Sequence, residues 1–221
     1  MVAKQTPPEV GISAREAAAA SNRRRRVVEM TDEDVPSRWT AAMVYDDMWV
    51  DPADDPRESE RPPVGERETL VQYLRAYRLT LGMKCDGLTA AQLALRSVPP
   101  STLSLLGLVR HLAEVERNWT RRVMRGEDAP RLWGAPGQDA DFDGAVGDPE
   151  VVERALAAWQ IEMEATDALV AETEDLGTMS ASTTAEPIAL REVLVHLIEE
   201  YARHCGHADL LRERIDGRVG Q

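Results

Sequence analysis

A helical period narrows the fold more than any other feature of this chain: in four stretches of about twenty residues, apolar side chains return every three or four positions. Proline or glycine breaks separate the stretches. The first, Glu66 to Lys84, repeats through Leu70, Leu74, Tyr77 and Leu81. The second, Ser104 to Arg125, repeats through Leu105, Leu108, Leu112, Val115, Trp119 and Val123, with Gly126 placed to cap its end. The third opens at Asp148-Pro149-Glu150, where Asp suits the N-cap and Pro the first helical position, and it turns Val152, Leu156, Trp159, Met163, Thr166 and Leu169 inward before ending near Glu174. The fourth runs from Leu190 to Ile215 through Val193, Leu194, Leu197, Tyr201, Ala208 and Leu211. No segment of useful length alternates with the period of a strand. The expected fold class is therefore all-α: an up-down four-helix bundle with an irregular N-terminal extension.

The connections carry their own signals. Gly87 and a short Ala90 to Leu93 turn lead into Ser97-Val98-Pro99-Pro100-Ser101, a clear break before the second helix. Between the second and third helices, Pro130, Gly134, Pro136, Gly137, Gly144 and Gly147 sit among acidic residues and predict a long loop. Loops of that length often serve as lids, and Trp133 and Phe142 are the expected contacts with the bundle. A polar stretch from Gly177 to Glu186 joins the last two helices.

Three parts are expected along the chain: a tail over 1–30, a strap over 31–64 that packs on the bundle, and the bundle itself over 65–217. The tail is rich in Ala and Pro and carries the run Arg23 to Arg26, read as a solvated arm, while Met30 offers a second candidate start. In the strap, Pro36, Pro52, Pro56, Pro62 and Pro63 forbid a long helix and leave a short helical turn near Pro36 to Tyr45, with Trp39, Met43, Val44, Met48 and Trp49 as anchors.

A net charge of −13 argues against a protein that grips nucleic acid by neutralising phosphates. Aromatic residues make up only 5% of the chain, so the core is expected to be aliphatic. Cys85 and Cys205 lie far apart without CxxC spacing, which predicts neither a disulfide framework nor a cysteine metal site and suits a reducing compartment. With no apolar run of the roughly 20 residues that span a bilayer and no signal-peptide pattern, a cytoplasmic location is expected.

The strongest chemical signal is the placement of histidine. Of four in the chain, His196, His204 and His207 fall on the fourth helix, and His111 lies on the apolar face of the second. At about 100° per residue, His196, Glu200 and His204 drift by only about 40° per step, and His207 falls between His196 and Glu200 in angle. That stripe borders Leu197, Tyr201, Ala208 and Leu211, so Glu200 faces inward, where a carboxylate without a partner is costly. A divalent metal held by His111, Glu200 and His204 removes the cost and leaves coordination positions open. The donor types suit Zn²⁺, Fe²⁺ or Ni²⁺. His207 is a further candidate ligand, and either His196 or His207 could instead orient a ligand. The competing reading is a polar rim of the core, with Glu200 bound to an Arg.

Two segments, Ser97 to Glu116 and Glu199-Glu200-Tyr201-Ala202-Arg203-His204-Cys205-Gly206-His207-Ala208-Asp209-Leu210-Leu211-Arg212, resemble the DinB-like superfamily, in its actinobacterial branch related to mycothiol-dependent maleylpyruvate isomerases and thiol S-transferases. The resemblance covers about 31–217. In that superfamily a His on the second helix joins a His-x-x-x-His-Arg-Gly-Gln motif on the fourth to form a metal triad. Here the second His of the motif matches His204 and the Gly matches Gly206, whereas Glu200, Cys205 and His207 replace the first His, the Arg and the Gln. The maleylpyruvate isomerases also use a His, Glu, His set. The resemblance implies a divalent metal, zinc foremost, with mycothiol as cosubstrate, a metal-activated thiolate and a small electrophilic substrate. Arg110, Arg203, Tyr201, Trp119 or Trp133 would line its cavity, Cys205 would be a buried thiol, and a homodimer fits such bundles. The alternative is a non-catalytic bundle that binds metal or a small ligand in stress response, since fold similarity does not establish chemistry.

Overall fold

Each periodic stretch folds as a long helix in a computed structural model that describes residues 39–40, 49–50, 54–58, 61–134, 139–184 and 186–219. All of these fall in one of the chain's two contact units, Pro36–Gln221, and the tail expected over 1–30 lies outside them. The elements are β1 (Trp39–Thr40), α1 (Gly65–Cys85), α2 (Ala90–Leu93), α3 (Leu105–Arg117), α4 (Ala140–Asp143), α5 (Pro149–Glu172), α6 (Leu190–Asp216) and β2 (Arg218–Val219). The fold is all-α. Along their lengths α1 packs on α6 and α3 on α5, while α3 also meets α6.

Local chemistry sets the boundaries. The Ser104 hydroxyl accepts from the Gly107 amide to cap α3, and Asp148 accepts from the Glu150 amide to cap α5, whose first residue is Pro149. Gly217, at φ +76°, takes the left-handed conformation that ends α6. Leucines from all four long helices line the core, with Leu81, Leu105, Leu108, Leu112, Leu194 and Leu197 fully buried.

Three expectations need correction. The second stretch is not one regular α-helix to Arg125: α3 gives way at Asn118–Met124 to π-helical winding, in which the Arg125 amide reaches back five residues to the Thr120 carbonyl. The wider turn buries Thr120 against Thr166 of α5. Leu156 does not face inward. It is exposed because the buried stripe of α5, which includes the expected Trp159, Thr166 and Leu169, takes Ala155 and Glu162 in place of their neighbours Leu156 and Met163. Trp39–Thr40 are extended rather than helical, since they pair in parallel with Arg218–Val219 just past the α6 cap; the remainder of the predicted Pro36 to Tyr45 turn lies outside the described residues.

Trp49 is buried. Lys84 Nζ lies 3.8 Å and the Arg218 guanidinium 3.9 Å from the centre of its ring, a cation–π arrangement. Burial pulls the Lys84 pKa down, against the pull of Asp209, whose carboxylate lies 2.6 Å away.

Polar groups fill the middle of the core. The Glu116 carboxylate, fully buried on α3, receives both the Nε and an Nη of Arg78 from α1 at 2.8 and 2.9 Å. It also accepts the hydroxyl of Tyr201 from α6 at 2.9 Å and that of Thr166 from α5. Trp159 Nε1 donates to Tyr201 in turn, at 2.6 Å. Burial pushes the Glu116 carboxyl up from its usual range, and the Arg78 charge and the hydroxyl donors oppose that shift. Four helices thus share one carboxylate. Removing one partner of a buried ion pair strands the other, at about 3–5 kcal/mol. Arg78→Met should lower the unfolding free energy by about that amount in urea titrations, and adding Glu116→Gln should recover part of it. A double variant less stable than Arg78→Met alone would contradict this account of the pair.

Candidate metal centre

Where α3 passes α6, one atom each from His111, Glu200 and His204 lie within 4.8 Å of one another. His204 Nε2 is 3.4 Å from Glu200 Oε2, and His111 Nε2 is 3.7 Å from the same oxygen. The His111 and His204 rings meet edge to face with centroids 4.9 Å apart. Glu200 and His204 share a face because they are one helical turn apart on α6, and His111 reaches them from the apolar face of α3.

The Glu200 side chain is only 16% exposed, yet its nearest partners among the described residues stand off: 3.4 and 3.7 Å to the two imidazoles, 3.8 Å to His196 Nε2 and 3.9 Å to Arg203 Nη1. None of these is a strong hydrogen bond. Arg203 does not neutralise the carboxylate at close range, and its own side chain is mostly exposed. Burial, with the neighbouring His111 adding to it, drives the His204 pKa down to about 4, so its ring is neutral at physiological pH, as a metal-binding imidazole must be. Two imidazoles and one carboxylate converging in this way are a donor set that fits a divalent cation.

The other nitrogen of each ring has its own neighbour. His111 Nδ1 lies 3.1 Å from Asp141 Oδ2, and His204 Nδ1 lies 3.2 Å from His207 Nδ1. His207 thus stands behind His204, outside the converging set, while His196 packs its ring on Trp119 at 4.6 Å. The π-helical turn carries Trp119 to that contact.

Of the residues expected to line a cavity, Tyr201 does not: it is fully buried in the Glu116 network, because its position on α6 turns it toward the core. Arg110 is also buried and faces the loop, with its guanidinium 4.0 Å over the Trp133 ring. Trp119 and Arg203 stay beside the centre. Sequence reasoning missed Asp141, one acid among several in an acidic loop, although Phe142 beside it was expected to contact the bundle and does stack on His111.

The two thiols stay out of this chemistry. Burial pushes both Cys85 and Cys205 up to about 12, and Cys205 Sγ points at the Tyr77 carbonyl. Neither should react appreciably with a disulfide reagent such as dithiobisnitrobenzoate at pH 8 in the folded protein, and both should react in denaturant. Fast labelling of one native thiol would contradict this.

A model of the mycothiol-S-transferase family matches residues 69–217. No curated protein matches the chain significantly. Among solved structures, one described as the crystal structure of the conserved protein of locus from Enterococcus faecalis is similar at 19% identity, over 69% of this chain and 95% of that one, with a TM-score of 0.41. The family match runs from the second turn of α1 to the glycine that caps α6, well over half of the sequence, and the chain therefore belongs to the mycothiol-S-transferase family, a DinB-like family.

Proposed function

We propose that the chain is a metal-dependent thiol S-transferase that uses mycothiol, or a thiol of that type, and a small electrophile, with His111, Glu200 and His204 holding the metal. The observation that carries this reading is the convergence of two imidazole nitrogens and one carboxylate oxygen within 4.8 Å, in a chain of the mycothiol-S-transferase family. A divalent cation there, zinc foremost, would supply the Lewis acidity that lowers the pKa of a coordinating thiol and makes thiolate available at neutral pH.

The protein's own residues have separable tasks. Glu200 contributes the negative charge of the set, and the neutral ring of His204 adds a lone pair from the same helix face. His111 draws in the second helix, which makes the site depend on how α3 and α6 pack. Leu108, Leu112, Leu197 and Ala208 are buried on the same two helices, which limits water to the outer side of the centre. On that outer side the His111 and His196 side chains are partly exposed, at 27% and 34%, which supports access for a small thiol. His207 stands against the far nitrogen of His204, where it is suited to orient that ring rather than to close the site. Among the described residues no helix is long and apolar enough to cross a membrane.

Elemental analysis of the purified protein tests this reading. One divalent metal per chain is expected, retained through gel filtration, with little left in His204→Ala or Glu200→Ala. Thiol transfer from mycothiol to a bimane electrophile should depend on that metal. A wild-type protein that stays metal-free after exposure to zinc, iron and nickel would refute the metal centre, whereas a fully metallated protein inert toward every thiol and electrophile would refute the transferase.

A further inference from the structure

We propose that Asp141 is a positioning residue for the metal centre, fixing His111 as the Nδ1–H tautomer so that the Nε2 lone pair faces Glu200 and His204. This rests on the reading that those three side chains hold a divalent cation.

His111 lies between two carboxylates, and distance decides which of them takes its proton. Asp141 Oδ2 is 3.1 Å from Nδ1, within hydrogen-bonding range, whereas Glu200 Oε2 is 3.7 Å from Nε2. A neutral imidazole carries one N–H, and a carboxylate can only accept. The proton therefore sits on Nδ1, which leaves Nε2 free to donate its lone pair toward the centre.

The way Asp141 is held argues that its position matters. It is carried by α4, a single turn inside the long loop, yet it is only 6% exposed. Arg110, the neighbour of His111 in sequence, grips the backbone of that turn: Nε donates to the Asp141 carbonyl at 2.8 Å and Nη2 to the Ala140 carbonyl at 2.9 Å. Trp133 stacks on that guanidinium and donates Nε1 to the Arg110 carbonyl. Two glycines clear the space for this docking. A Cβ on Gly107 would come within 2.6 Å of the Phe142 ring, and one on Gly144 within 2.5 Å of Arg110 Nη2. The carboxylate brought there is incompletely satisfied among the described residues, where Oδ1 is buried without a hydrogen-bond donor and the nearest cation, Arg131 Nη2, is 3.7 Å away. Burying a carboxylate on so few partners is costly. A cation ligated by the far nitrogen of His111 offsets that cost by polarising the ring and strengthening the Nδ1–H donor, as in carboxylate–histidine–metal arrangements.

Zinc competition titrations with a chromophoric chelator, on wild type, Asp141→Asn, Asp141→Ala and Asp143→Asn, test the assignment. The two Asp141 variants should bind zinc about 10–100-fold more weakly than wild type. Asp143→Asn, which removes an exposed acid from the same turn, should match wild type. Long-range ¹H–¹⁵N spectra of zinc-loaded wild type give a second readout that needs no variant: His111 Nδ1 should be protonated. If wild type binds zinc and both Asp141 variants bind it equally tightly, or if His111 Nδ1 proves unprotonated, the role of Asp141 is overturned while the metal centre stands. A wild type that binds no zinc overturns the centre and this role with it.

Discussion

The Glu116 carboxylate is the interaction on which the rest of the structure depends. It gathers donors from α1, α5 and α6 into the middle of the core. An aliphatic helix interface tolerates small rotations, because one leucine can replace another against a neighbouring groove. A hydroxyl that must reach a buried carboxylate tolerates little. Tyr201 lies between Glu200 and His204 in sequence, so its hydrogen bond to Glu116 fixes the rotation of α6 that turns those two side chains toward α3. Glu116 follows His111 on α3 by little more than one turn. One polar network therefore sets the angular position of both helices that bear the candidate ligands.

Around the centre itself, geometry and protonation agree. The Nε2 atoms of His111 and His204 face the same Glu200 oxygen, and their Nδ1 atoms face Asp141 and His207. Burial holds His204 neutral. The long loop takes part as well, because α4 places Asp141 and Phe142 on His111 and Arg110 holds α4 in place. Loop docking and the presentation of His111 are thus coupled mechanically, with no need for the loop to carry a ligand.

Much of this was legible in the sequence. The leucine periods of α1, α3 and α6 marked three of the long helices, and four histidines, three of them on one helix, pointed to the face where His111, Glu200 and His204 meet. What escaped has a common cause, which is that pattern reading assumes that polar residues face water. Glu116, Arg78 and Glu162 are buried, and on α5 the inward stripe takes Ala155 and Glu162, so that Leu156 is exposed. The period of α6 did place Tyr201 inward, but its hydrogen bond to Glu116 leaves no mark in a period. The π-helical turn left no mark, since Trp119 and Val123 keep helical spacing in either winding. Asp141 was hidden because its role depends on the path of a loop, and loop path is decided by contacts such as Arg110 on Ala140 rather than by period.

Anomalous diffraction at the zinc edge, from crystals of the zinc-loaded protein, tests the central claim most directly. A single strong peak bounded by His111 Nε2, His204 Nε2 and a Glu200 oxygen is the predicted result. Full zinc occupancy at any other group of side chains, with Glu200 left to Arg203 alone, would contradict the account.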